Sequence, residues 1–179
     1  MDQRKLKTRQ AIQEAFMKLR KDKALEQISV TELSRLARIS KATFYLHYRD
    51  IFDLSEQLQN ATIKQALDQM EISASIMDHW PEFAREMNAV LDRDSDVLSV
   101  LFSGTQMAMI PLMLENNIRE RIWEHTPELK ENMELSIRLT YHIQGSYHAY
   151  LRHVNHTDMH GILNIIQEIH SKTAMNTKF

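Results

Sequence analysis

Apolar residues recur at helical spacing along most of the chain. Near the start, Ile12, Phe16 and Leu19 fall at i, i+4 and i+7, which places their side chains on one face of a helix. The 179 residues include only 3 Gly and 3 Pro, so turns are few and helices are long. The pattern predicts an all-α protein, with a first helix over residues 2–23.

Residues 28–50, ISVTELSRLARISKATFYLHYRD, predict two short helices joined by a tight turn. Ser29 is a suitable N-cap, and Glu32 three residues later completes an S-x-x-E capping box. Ser40 is a second N-cap and opens the second helix. Two helices this short cannot form a core alone, so such a unit normally presents its second helix to a partner.

The second helix of this pair mixes polar donors with aromatic residues, a composition that suits the major groove of DNA. The same spacing also fits an ordinary αα-hairpin in an all-helical core, because helix-turn-helix geometry has weak sequence requirements. Spacing alone leaves both interpretations open. The polar positions are Lys41, Thr43, Tyr45 and His47.

Charge is distributed unevenly between the two ends of the chain. The first 50 residues contain 12 Lys+Arg against 6 Asp+Glu, and the remainder contains 10 against 18. A basic first third on an acidic body favours contact with a polyanion there, although chance clustering on a solvated helix gives the same count. Cations at the start of the first helix interact unfavourably with its macrodipole, so binding of an external anion explains them better than helix stability does. They are Arg4, Lys5, Lys7 and Arg9.

The runs TRQAIQEAFMKL and ISVTELSRLARISKATFYLHYRDIFDL, within residues 8–54, resemble the N-terminal DNA-binding domain of the TetR family (TetR/AcrR-like) of transcriptional regulators. The resemblance implies a three-helix helix-turn-helix domain at residues 1–50. It also implies a C-terminal helical bundle at residues 51–179 that dimerises and encloses a ligand. The implied function is a ligand-responsive repressor that acts as a homodimer on a palindromic double-stranded DNA operator.

The same resemblance implies roles for individual residues. Thr43, Tyr45 and His47 match positions that contact DNA, and Lys41 matches a position of backbone contact. Phe44 and Tyr48 match positions that anchor the reading helix. The full predicted DNA-binding set is Arg4, Lys5, Lys7, Ser29, Lys41, Ala42, Thr43, Tyr45, Leu46 and His47.

Two positions depart from the family pattern. Arg38 stands in the turn where Gly is usual, and a non-glycine residue at positive φ is mildly strained. Ile51 stands where the family usually has a Lys aimed at a phosphate. These departures motivate an alternative function, a co-regulator that binds DNA weakly or not at all and acts through a protein partner. The retained cations argue against that alternative.

The rest of the chain predicts further helices. The pairs Trp80-Pro81 and Thr126-Pro127 predict helix starts. The N–H of the first helical residue has no partner within the helix, so proline, which lacks an N–H, is tolerated there. Gly104 is a natural C-cap. The predicted helices are 51–75, 80–92, 97–102, 107–123, 126–154 and 158–172.

The last two helices carry the predicted dimer interface. Isoleucines form an apolar stripe on the last helix, and small residues on the preceding one allow another helix to approach; the alternative is that both complete the monomer's own core. A two-fold protein would match a two-fold operator. The predicted interface residues are Gly145, Ala149, Ile162, Ile165, Ile166 and Ile169.

An unknown small-molecule effector would bind among aromatic, Met and His side chains of the bundle, although such residues usually just fill core. The predicted lining is Phe102, Met107, Met113, Trp123, Tyr141, His142 and Tyr147.

Histidines 153, 156 and 160 have metal-ligand spacing if their helix is continuous, but the polar residues between them favour a solvated loop. We therefore predict no metal and no cofactor.

No catalytic motif is present and there is no Cys, so we expect a protein that is not an enzyme. No apolar run reaches the ~18 residues of a membrane span, and the N-terminal MDQRKLKTRQ lacks the apolar core of a signal peptide. A cytoplasmic location without membrane partners is the expectation.

Overall fold

The computed structural model describes residues 3–153, 161, 162, 164–166, 168, 169 and 172. All regular structure in these residues is helical, which confirms the all-α prediction. Between residues 3 and 153 the α-helices are α1 (Gln3–Asp22), α2 (Val30–Leu36), α3 (Lys41–Tyr45), α4 (Ile51–Leu67), α5 (Trp80–Arg93), α6 (Ser95–Leu101), α7 (Ile110–His125) and α8 (Met133–His153). Short 3₁₀ helices lie at Leu25–Gln27, Ala74–Met77, Gly104–Met109 and Pro127–Glu131.

The chain packs into two compact units. The first contains Met1–Thr62 and Ser95–Met107, and the second contains Ile63–Asp94 and Ala108–Phe179. This division falls inside α4 and returns residues 95–107 to the first unit, whereas the sequence placed a single boundary between residues 50 and 51. The assignment of separate functions to the two parts stays a prediction.

The core of the first unit is built on the predicted apolar stripe of α1. Ile12 and Phe16 are fully buried, as is Leu33 of α2. Helix spacing brings such residues to one face, and burial of each side chain of this size contributes about 1.5–3 kcal/mol. Leu101 and Phe102 are buried in the same unit, so residues 95–107 form part of its structure.

Buried polar side chains hold residues 95–107 in the first unit. Arg20 is 3% exposed, and its guanidinium donates to the Lys23 carbonyl at 2.7 Å and to the Ser103 hydroxyl at 2.5 Å. Burial lowers the pKa of Arg20 from its ordinary value, and the charge of Glu26 opposes that shift. The buried Gln59 amide donates to the Leu101 carbonyl at 2.9 Å.

The second unit contains a buried carboxylate between α7 and α8. Glu115 accepts hydrogen bonds from Arg119 at 2.7 Å, from the Thr140 hydroxyl at 2.6 Å and from the Gln144 amide at 3.0 Å. A buried charge is costly unless it is paired and hydrogen-bonded, and here both carboxylate oxygens are bonded. This network therefore pins the register of α7 against α8.

The largest differences between observed and predicted helix ends are at two places. The helix expected over residues 51–75 ends at Leu67. The helix expected from Thr126 begins instead at Met133, because Asn132 caps it by accepting the Leu135 N–H at 2.9 Å. Pro127 opens only a short 3₁₀ helix.

Across the described ranges, no single helix is long and apolar enough to cross a membrane.

Candidate nucleic-acid interface

Side-chain caps define the starts of α2 and α3. The Ser29 hydroxyl accepts the Glu32 N–H at 3.2 Å, and the Ser40 hydroxyl accepts the Thr43 N–H at 3.0 Å. Both N-caps are therefore confirmed. The reciprocal half of the capping box is replaced, because the Glu32 carboxylate pairs with the Lys23 ammonium at 2.7 Å.

The turn between α2 and α3 places Arg38 in the left-handed region, with φ of 55°. The Ile39 N–H bonds to the Ser34 carbonyl at 3.0 Å, and the Arg38 N–H bonds to the Arg35 carbonyl at 3.2 Å. These two bonds define a Schellman motif, whose left-handed position is usually Gly. Within the described chain, Arg38 is the one non-glycine residue with positive φ.

Helix α3 and the residues after it divide their side chains between the core and the surface. Phe44 is 0% exposed and Tyr48 is 2% exposed, and their ring centroids lie 5.8 Å apart. Tyr45 is 57% exposed and Leu46 is 84% exposed. The i, i+4 spacing of the two buried rings explains this division, so the intervening side chains face outward.

The hydroxyl of Tyr48 is tied to α1. Arg9 donates from Nε to this hydroxyl at 3.2 Å, and its guanidinium carbon lies 6.0 Å from the centroid of the Tyr48 ring. Arg9 also donates to the Gln57 amide oxygen at 3.4 Å. Arg9 therefore has internal partners on two elements, so no external anion is needed to explain its charge.

Most of the predicted DNA-binding residues are exposed. Lys5 and Lys7 occupy the first turns of α1, whose first turn contains no acidic residue. The exposed members of the set are Arg4, Lys5, Lys7, Ser29, Lys41, Ala42, Tyr45 and Leu46, and the half-buried members are Thr43 and His47.

Two more cations, Arg35 and Arg38, lie beside the turn together with Lys41, and of these three only Lys41 belongs to the predicted DNA-binding set. Arg35, Arg38 and Lys41 are exposed, and in the described part of the chain none of them has an ion-pair partner. Lys23 and Arg49, by contrast, each pair with a carboxylate. In the sequence, the signal for this cluster is the spacing of three residues between successive cations across the predicted turn.

The start of α4 differs from what the resemblance implied. Ile51 is 5% exposed, so its side chain belongs to the core and does not occupy a phosphate-facing position. Asp50 caps the helix by accepting the Asp53 N–H at 2.8 Å. Asp53 in turn accepts the Arg49 N–H at 2.8 Å, and this hydrogen bond lowers the pKa of Asp53 below its ordinary value.

The predicted effector-binding residues are divided between the two units. Phe102 is buried and Met107 exposed in the first unit. The others belong to the second unit, where Met113 is buried, Trp123 and Tyr147 are half-buried, and Tyr141 is exposed. His142 is buried, and its ring stacks on that of Trp80 with 4.8 Å between the centroids. Burial raises the pKa of Tyr147 to about 12.

The second unit contains a small cavity and an open cleft. Trp123 helps to line a cavity of about 10 Å³ between α7 and α8, which has room for a single water molecule. An open cleft of about 390 Å³ is lined by residues outside the predicted set, namely Met70, Glu71, Ile72, Ser73, Arg121 and His125. Effector binding stays a prediction.

Helix α8 carries an exposed apolar stripe that is not among the predicted interfaces. Met133, Ile137 and Tyr141 are 71%, 60% and 61% exposed, and they fall at i, i+4 and i+8. Gly145 continues the stripe, and no other side chain approaches the position that its Cβ would occupy. The four-residue spacing is visible in the sequence, and Tyr141 is a predicted effector-binding residue.

The predicted isoleucine stripe is divided between core and surface. Ile162 and Ile166 are 5% and 9% exposed, whereas Ile165 and Ile169 are 58% and 50% exposed. Ala149 is exposed. The role of this set in dimerisation stays a prediction. His156 and His160 lie outside the described residues, and among the described ones no cluster of three His, Asp or Glu side chains is arranged to hold a metal ion.

Comparison with known proteins gives one distant relative. Over 92 residues the chain is 29% identical to an uncharacterized HTH-type transcriptional regulator, YxbF, of Bacillus subtilis (strain 168). The match covers 51% of this chain and 24% of the relative, so the chain spans about a quarter of that protein's length. No family model and no solved structure matches the chain.

The pH dependence of stability tests the hydrogen bond that the Asp53 carboxylate accepts from the Arg49 N–H at the start of α4. The folded pKa of Asp53 is lowered, so its carboxylate stabilises the fold above its unfolded pKa of about 3.9, and this contribution is lost as the pH falls through the folded value. We expect Asp53→Asn to lower the free energy of unfolding at pH 7 by about 1 kcal/mol. The variant should also show a shallower loss of stability below pH about 4.

Urea denaturation at a series of pH values measures this effect. Asp78→Asn, at an exposed position of the second unit, is the matched control and should keep the wild-type profile. A profile for Asp53→Asn that is identical to the wild type would show that the Arg49 N–H does not stabilise the carboxylate.

Proposed function

We propose that this protein is a DNA-binding transcriptional regulator and that α3 is its reading helix. The division of α3 carries the proposal: Phe44 and Tyr48 fix the helix to the core, and Tyr45 and Leu46 project outward. In water the exposed side chains of Tyr45 and Leu46 contribute little burial free energy, so their exposure beside Lys41 favours contact with a partner. The similarity to an HTH-type regulator supports the same assignment.

The exposed chemistry suits both parts of a DNA duplex. Lysines 5, 7 and 41 supply charge for phosphates, which gives affinity and orientation but no sequence preference. Tyr45 and His47 offer hydrogen-bonding groups to base edges, and Leu46 offers an apolar contact of the kind that recognises a thymine methyl. A five-residue helix is long enough to reach only a few base pairs, so a single copy reads a half-site.

As part of this proposal, the protein is a TetR-type homodimer. The stripe of Met133, Ile137 and Tyr141 on α8 is large and apolar, and contiguous exposed apolar surface of this kind marks an interaction site. Gly145 lets a second helix approach closely. A second copy fits this face because one C₂ interface would pair the stripe with itself, and a two-fold protein matches a palindromic operator.

Regulation completes the proposed function. We infer a repressor whose DNA affinity changes when an effector binds the second unit. Helix α4 runs from the cap beside α3 into that unit, so a change at its C-terminal end reaches the reading helix along a continuous backbone.

Removal of the polar groups of Tyr45 in α3 and of His47 just after it tests the reading helix. We expect the Tyr45→Ala, His47→Ala double variant to lose at least about tenfold in affinity, because each base contact contributes about 1–3 kcal/mol. A mobility-shift titration on the DNA that flanks the protein's own gene measures the change. His125→Ala, an exposed histidine of α7, is the control and should bind as the wild type does.

Equal binding by the double variant and the wild type would show that α3 does not read DNA. A wild-type protein without any salt-sensitive DNA affinity, recovered instead with a partner protein in a pull-down, would favour the co-regulator. Exposed Leu46 and Phe52 are the apolar side chains that such a partner would contact.

A charge in the centre of the α8 stripe tests the homodimer. We expect Ile137→Glu to sediment as a monomer at concentrations at which the wild type is a dimer, because an unpaired buried charge costs about 3 kcal/mol or more. Ala89→Glu, at an exposed position of α5, adds the same charge elsewhere and should stay dimeric. Circular dichroism should show that both variants are folded.

A wild-type protein that sediments as a monomer at every concentration would contradict the homodimer. Dimerisation of Ile137→Glu at wild-type strength would show that another surface forms the interface.

A further inference from the structure

Arg38 occupies a backbone position that favours glycine. Its φ of 55° lies in the left-handed region, where a Cβ crowds the neighbouring carbonyl and costs free energy that Gly does not lose. The Schellman bonds from Ile39 to Ser34 and from Arg38 to Arg35 require only backbone atoms. Considerations of stability alone would therefore place Gly in this turn.

The side chain of Arg38 does not offset that strain from within the chain. It is exposed, and in the part of the chain that the structure describes its guanidinium makes no hydrogen bond and no ion pair. Arg9 and Arg20 differ from Arg38 in this respect, because both of their guanidinium groups bond to side chains distant in sequence within the first unit. A strained residue without an internal partner points to a role toward another molecule.

The neighbours of Arg38 indicate the chemistry of that molecule. Arg35 lies three residues before it at the end of α2, and Lys41 lies three residues after it at the start of α3. Both are exposed, and no described carboxylate pairs with either. We call Arg35, Arg38 and Lys41 the basic corner. Three unneutralised cations around one turn repel each other unless an anion lies among them.

We propose that Arg38 binds a phosphate of the DNA backbone beside the groove that α3 enters, and that the strained turn is kept for this contact. The inference rests on the proposed function and adds a residue that the family resemblance did not supply, since Gly is usual there. An Arg–phosphate contact adds affinity without sequence preference. Each such contact releases about one counterion and steepens the salt dependence of binding by about 0.9.

Three substitutions separate the charge of Arg38 from its strain. R38G removes both, R38Q removes the charge and keeps a side chain at positive φ, and R38K keeps the charge and the strain. Binding to an operator duplex from the flanking DNA and to a random duplex of equal length is measured by fluorescence anisotropy over a range of salt concentrations. Thermal unfolding of each variant is followed without DNA.

We expect R38G and R38Q to lower the slope of log K against log salt by about 0.9 and R38K to keep the wild-type slope. The loss should be similar on both duplexes, because a phosphate contact is not sequence-specific. R38G alone should melt at a higher temperature than the wild type. R85G, at an exposed arginine in the interior of α5, is the control; it should keep the slope and melt lower, because Gly destabilises a helix interior.

The outcomes distinguish this inference from the function on which it rests. Wild-type slopes for R38G and R38Q, with binding still lost in the Tyr45→Ala, His47→Ala variant, would overturn the Arg38 contact and leave the reading helix in place. A melting temperature of R38G at or below that of the wild type would overturn the strain argument and the proposal with it. Absence of salt-dependent DNA binding in the wild type would overturn both.

Discussion

The first unit depends on the burial of two aromatic rings, Phe44 and Tyr48. Helix α3 has five residues, far fewer than an isolated helix needs to persist in water. Its orientation is therefore set by what it buries, and both rings are almost fully enclosed. The hydroxyl of Tyr48 would be costly to bury unbonded, and Arg9 of α1 satisfies it. Because Phe44 and Tyr48 fix one face of the segment in the core, the opposite face is held rigidly toward solvent.

The surface chemistry around α3 follows from the burial of these two rings. Inward positions are apolar, so polar and cationic groups collect at the outward positions and at the turn. Rigid presentation matters because a reading helix must hold its donors in place before the partner arrives. The turn tolerates backbone strain at the left-handed Arg38, and this residue adds a cation to the surface. The second unit is organised differently: the Glu115 network sets the register of α7 and α8, and α8 keeps an apolar stripe exposed.

Much of the fold could be predicted from the sequence, because helix starts depend on local chemistry. Ser29, Ser40 and the Trp80-Pro81 pair each begin a helix where expected. Periodicity, however, shows which residues share a face and does not show which neighbour covers that face. The return of residues 95–107 to the first unit depends on Arg20 and Gln59, which carry no sequence signal of their partners. The same limit explains why Tyr141 was assigned to a pocket, while Met133 and Ile137 on the same face were overlooked.

Amide hydrogen exchange of the full chain, with and without operator DNA, tests most directly whether α3 meets DNA. Backbone amides of a short helix exchange faster than those of the long core helices, and a bound partner slows that exchange. We expect DNA to slow exchange from residue 29 to residue 49 and at the start of α1, and to leave exchange in α5 and α7 unchanged. Slowed exchange confined to the second unit, or none in the segment around α3 at saturating DNA, would contradict this expectation.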